Sequence, residues 1–138
     1  MRRLLLLALS LVLAAPAGAG AQAADEAMLF AGGGTSLTNG VFFPGTGLYD
    51  GEKYITAAPL EVKKGQNVLF TNLDAGVVTN VHQIRSYKKR KNGRSWFQSA
   101  SVNGPGQSVM ITSHVPVGLY KYLCTTHGGM VGFLEIVR

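Results

Sequence analysis

A lone cysteine, Cys124, sits within seven residues of one of the chain's three histidines, His127, and one of its four methionines, Met130. Any fold of this chain must curl Cys124-Thr125-Thr126-His127-Gly128-Gly129-Met130 into a tight loop, and glycine permits backbone conformations that a side chain would block. Thiolate, imidazole and thioether form a soft donor set, and soft sulfur with imidazole favours copper. A trigonal Cys and two His with a weak axial Met is the donor set of a blue-copper electron-transfer site. One short loop cannot surround a metal, so a second imidazole must come from elsewhere in the chain. His82, 42 residues before Cys124, is the natural candidate. Taken singly, Met130 reads as core packing, His82 as a hydrogen-bonded strand residue and Cys124 as an inert small hydrophobe. Taken together, they read as a metal site. His114, before the Val115 to Gly118 turn, reads as a surface residue.

The first residues read as an address rather than as structure. Arg2 and Arg3 precede an apolar run from Leu4 to Ala15 broken only by Ser10, and A-x-A patterns follow at Ala19 to Ala21 and Ala21 to Ala23. That is the layout of a secretory signal peptide, assigned to residues 1–23. A membrane-spanning helix needs roughly 18 or more apolar residues, so the shorter run favours cleavage over an anchor and predicts no stable membrane insertion. Cleavage after Ala23 takes 23 residues from 138 and leaves 115, residues 24–138. That length suits one domain with its own core. The expected localisation is export, to a periplasm or to the cell exterior. An exported chain with one cysteine can form no internal disulfide, and an unprotected thiol there is a liability that metal ligation removes.

Charge is uneven. Two of the 13 basic residues are the leader arginines, which leaves 11 against seven acids, or +4. Six of those 11, Arg85, Lys88, Lys89, Arg90, Lys91 and Arg94, fall within ten residues, and no acid occurs between Asp74 and Glu135. Two readings stand: a solvated loop, or a docking patch for an acidic partner or an anionic membrane surface. Nucleic acid is not an expected partner, given export and the absence of interleaved aromatics for stacking.

The hydrophobic pattern shows no sustained helical period. Ala24 to Phe30 opens a first strand, and Gly32 to Gly51, rich in Gly, Thr and Asn, reads as a long irregular loop. From Tyr54 onward short apolar runs alternate with turns. Leu60 with Val62 and Val68 with Phe70 place side chains on a buried face by two-residue alternation. Val77 to Ile84 is strand-like, Trp96 and Phe97 return to the core, and Asn103-Gly104-Pro105-Gly106 is a turn before Val109 and Ile111 at strand spacing. Leu119 to Leu123 and Val131 to Val137 flank the donor loop. Short strands with regular turn signals predict an all-β sandwich or barrel.

The run from Gly118 to Met130 resembles the C-terminal copper loop of the plastocyanin/azurin family of cupredoxins, with a short C-x2-H-x2-M spacing similar to amicyanin's. Val62 to Asn72 resembles the family's strand-turn-strand before its first histidine, and His82 in Asn80-Val81-His82-Gln83 stands in that histidine's place. The resemblance covers about Tyr54 to Arg138. It implies a single-domain Greek-key β-sandwich of cupredoxin type, a monomer, with Cys124, His82, His127 and Met130 as ligands of one Cu(I)/Cu(II) ion. It also implies a small electron carrier that is not an enzyme and that meets redox protein partners, with Gly128, Gly129, Val131 and Phe133 as contributors to an apolar electron port. The family often has Pro where this chain has Thr126, and Asn where it has Gln83; both positions flank ligands, where neighbours orient and tune the metal.

Other chemistries fit less well. A second copper would need His-x-His or His-Cys-His elements, and c-type haem needs two cysteines. Structural zinc prefers closed Cys/His sets without Met, and a cysteine nucleophile has no use for the adjacent Met130. A copper carrier or sequestering protein using the same ligands is the alternative function.

Overall fold

The computed structural model describes residues 26–34, 39–49, 51–56, 58–75 and 80–138; the leader assigned to residues 1–23 lies outside them. The strands run in chain order: Ala27–Gly34 (β1), Asn39–Phe43 (β2), Gly47–Tyr49 (β3), Tyr54–Thr56 (β4), Leu60–Lys63 (β5), Val68–Asn72 (β6), Val81–His82 (β7), Ile84–Ser86 (β8), Val102–Asn103 (β9), Gly106–Met110 (β10), Gly118–Cys124 (β11) and Val131–Val137 (β12). Among the described residues there is no helix, and accordingly none long and apolar enough to cross a membrane.

Two four-stranded sheets form a β-sandwich, one ordered β10-β6-β1-β2 and the other β5-β12-β11-β8. Sequence neighbours are often not sheet neighbours, because the chain crosses repeatedly between layers. β1 lies parallel to β6 and β12 parallel to β5, while the remaining pairs in both sheets are antiparallel. Two-residue alternation decides which side chains enter the core. Leu60 and Val62 point inward from one sheet, Val68 and Phe70 from the other, and all four are buried. In β10 the buried residue is Met110, and its apolar neighbours Val109 and Ile111 are about half exposed. A one-residue change of parity reverses the face a strand presents.

The reading of Gly32 to Gly51 as an irregular loop is corrected. Within that stretch β1 continues to Gly34, and β2 and β3 follow. Glycine gives no hydropathy signal, yet here it is required by close packing. Gly45 has φ +89°, and a Cβ there would stand 2.5 Å from the Phe133 carbonyl oxygen. The Phe133 N–H donates to the Gly45 carbonyl at 2.7 Å, and Thr46 bridges Gly132. The segment therefore lies against β12, which explains why Val131, Gly132, Phe133 and Leu134 are all buried.

Tyr122 of β11 fills the centre of the core, edge-on to Phe42 at 4.9 Å between ring centroids. Its ring occupies the space that a Cβ on Gly132 would take, 2.3 Å away. Among the described residues the hydroxyl is buried without a hydrogen-bond partner, and burial pushes its pKa far above the ordinary tyrosine value. Tyr122 thus acts as a packing ring two residues from Cys124 on the same strand.

Candidate metal centre

Sheet pairing brings two distant segments together. Ile84 of β8 pairs with Cys124 at the end of β11, so the short β7 strand that ends at His82 lies beside the start of the donor loop. The Thr125 N–H donates to the Gln83 carbonyl at 2.9 Å, and the Thr125 hydroxyl donates to Gln83 Oε1 at 2.8 Å. Gln83 Nε2 donates onward to the Ser99 carbonyl at 3.3 Å. Gln83 thus clamps one histidine-bearing segment to the loop that carries the other. The loop closes on itself: the Cys124 N–H donates to the Met130 carbonyl at 3.0 Å and the Met130 N–H to the His127 carbonyl at 3.3 Å. Gly129 turns this corner with φ +85°, a conformation that L side chains rarely adopt. Gly128 has open space around it and no such requirement.

His82, Cys124, His127 and Met130 are all buried, none more than 6% exposed. Cys124 Sγ lies 3.7 Å from His82 Nδ1 and 3.4 Å from His127 Nδ1. The three donor atoms all fall within 4.8 Å of one another. With bonds of about 2.3 Å to sulfur and 2.0 Å to nitrogen, lengths that a first-row ion such as zinc makes, the corners of a trigonal site stand about 3.5–3.8 Å apart. The two sulfur-to-nitrogen spacings match the corners of such a site, with the thiolate between the two imidazoles. Met130 adds a buried thioether from the closing corner of the same loop.

The charge of the cavity points the same way. Burial pushes the Cys124 thiol up, but hydrogen bonds from His82 and from the backbone N–H groups of Gln83, Thr126 and His127 more than reverse it, to about 6. Burial likewise lowers the His82 imidazole, and its bonds to Cys124 and Asp74 outweigh that and raise it. A thiol lowered in this way offers a thiolate beside two imidazole nitrogens, a donor set suited to a cation. Thr126 contributes through its N–H, a donor to sulfur that proline would lack.

Sequence reasoning missed one residue. Asp74 is buried and its Oδ2 accepts from His82 Nε2 at 2.8 Å. That bond fixes Nε2 on the carboxylate and turns Nδ1 toward the sulfur, the outer contact that orients ligand histidines. Asp74 is itself fixed: its N–H donates to Asn72 Oδ1 at 2.9 Å, and Asn72 Nδ2 donates to the Val102 carbonyl at 3.0 Å and to the Asn80 carbonyl. The available signal was its solitude, since Asp74 is the one acid between Glu61 and Glu135.

The expected electron port is corrected in part. Gly128 and Gly129 are exposed, but Val131 and Phe133 are covered by residues 44–47. His127 Nε2 is likewise buried, without a partner among the described residues. His114 is a surface residue, as its position before a turn suggested; its Nε2 lies 2.8 Å from the Trp96 carbonyl.

A β-sandwich carrying a buried Cys/His/His cluster at one loop defines the class as a cupredoxin. The model of copper-binding proteins of the plastocyanin/azurin family matches residues 49–137, and the chain belongs to that family. Its cofactor is copper. Among curated proteins none matches the sequence. The fold is similar to a purple cupredoxin from Nitrosopumilus maritimus, at 23% identity and TM-score 0.54 over 81% of this chain and 100% of that one. It is also similar to part of a copper-containing nitrite reductase from Thermus scotoductus, at 18% identity and TM-score 0.55 over 82% of this chain and 22% of that one.

Proposed function

We propose that this chain is an exported, monomeric electron carrier whose copper is held by His82 Nδ1, His127 Nδ1, Cys124 Sγ and the Met130 thioether. The observation that carries the reading is the convergence of two imidazole Nδ1 atoms on one buried sulfur whose thiol is already depressed to about 6. Copper bound there would supply a Cu(I)/Cu(II) couple. The protein's part is positional. Asp74 and the Gln83 clamp hold the donors in place, the loop excludes water, and four protein donors leave no position for substrate, which favours a shuttle over an enzyme. Support for export comes from Arg2, Arg3 and the Leu4 to Ala15 run, and from the lone thiol that a metal would protect.

Retention of the metal separates a shuttle from a copper carrier. Protein loaded with one Cu(II) per chain, reduced with ascorbate and reoxidised with hexacyanoferrate(III), is expected to keep its copper against a Cu(I) chelator and to recover its visible band in full. Release of copper on reduction would sink the electron-carrier reading and favour the carrier.

A further inference from the structure

The basic segment forms a groove rather than a loose solvated loop. Arg85 bridges Gln98 and Lys89 bridges Ser95. The Trp96 N–H donates to Ser86 Oγ at 2.8 Å and the Arg90 N–H to the Arg94 carbonyl at 2.8 Å. Residues 85–98 are therefore a pinned hairpin. Its concave side encloses about 510 Å³, lined by Arg85, Lys89, Arg90, Arg94 and His114 above an aromatic floor that includes Trp96. Arg90 stacks on that floor, 5.0 Å from the Trp96 ring centroid, and donates to the Trp96 carbonyl at 3.0 Å. Among the described residues none of these cations has an ion-pair partner. Four uncompensated cations in one concavity favour an anionic occupant.

We propose that this groove docks an acidic segment of a redox partner protein, whose Asp and Glu side chains enter between Arg85, Lys89 and Arg94. The arginine fork matches a carboxylate bidentately, and a concave groove admits a protruding loop where a flat lipid surface cannot enter. Position supports the choice of partner: Arg85 pairs with Leu123, the residue before Cys124, across β8 and β11. The partner's identity as a redox protein rests on the electron-carrier reading; the groove's preference for carboxylates does not.

Trp96 is the only tryptophan and reports on the groove directly. Titration of copper-free and of Cu(I)-loaded protein with a peptide of ten glutamates is expected to change Trp96 fluorescence saturably, more weakly as salt rises. R85Q/R94Q is expected to weaken binding about tenfold, given that exposed charge pairs are each worth a modest amount, whereas K63Q/R138Q, which removes the same charge elsewhere, leaves it within about twofold. An absent Trp96 response would overturn the proposal, as would an equal loss in both double variants, which would signal net charge alone. Binding to phosphatidylglycerol vesicles without binding to the peptide would also overturn it and assign the groove to a membrane. Peptide binding by a protein that sheds copper on reduction would leave the groove standing and remove the electron carrier.

Discussion

Replacing Cys124 with serine is expected to abolish the intense visible band of the Cu(II) protein and to lower copper affinity by more than about 100-fold. Even an outer hydrogen-bond partner of a ligand typically carries about 10–100-fold, and this change removes the thiolate itself. Metal loss is separable from misfolding in this variant. Serine is smaller than cysteine by little, and its Oγ can accept the same backbone N–H groups of Gln83, Thr126 and His127 that bond the sulfur. The far-ultraviolet circular dichroism of Cys124→Ser should therefore match the parent, while competition against a chelator reads the lost affinity. A variant that stays coloured would refute thiolate ligation.

Asp74 has the second large effect. Asp74→Ala leaves His82 Nε2 buried without its acceptor, and an orphaned buried donor costs about 1–3 kcal/mol. With Nδ1 no longer held toward Cys124, copper affinity is expected to fall about 10–100-fold. Asp74→Asn separates orientation from charge, since the amide oxygen still accepts from Nε2. In that variant the Cu(I) affinity should stay close to the parent while the Cu(II) affinity falls about tenfold. Loss of a nearby negative charge disfavours Cu(II) relative to Cu(I), so the potential should rise by about 60 mV, a tenfold change for one electron. Chelator competition and voltammetry read the two quantities. Parent-like behaviour of both variants would contradict a positioning role for Asp74.

The donor loop and its distant histidine are legible because their chemistry is rare in this chain. One cysteine, three histidines and four methionines leave few combinations, and the turn at Gly128-Gly129 marks where the loop closes. Strand β12 was legible to the residue, since Val131 to Val137 is apolar apart from Glu135 and lies between the loop and Arg138. The start of β1 was legible too, but its extension to Gly34 and the strands β2 and β3 were not. Glycine-rich strands carry no alternation, and the role of Gly45 depends on Phe133, a residue far along the chain. For the same reason the burial of Val131 and Phe133 was invisible: what covers them is distant in sequence. Asp74 escaped because a carboxylate after Asn72 reads locally as a turn former, and only the tertiary contact with His82 reveals its second use. The basic run was visible as charge, but its concavity depends on bridges to Ser95 and Gln98, which composition cannot show.

Copper K-edge X-ray absorption on the Cu(II) protein tests the central claim most directly. The arrangement of His82, Cys124 and His127 predicts a nearest shell of one short sulfur and two nitrogens, with the sulfur lost in Cys124→Ser. A first shell of nitrogen and oxygen alone in the parent protein would contradict it.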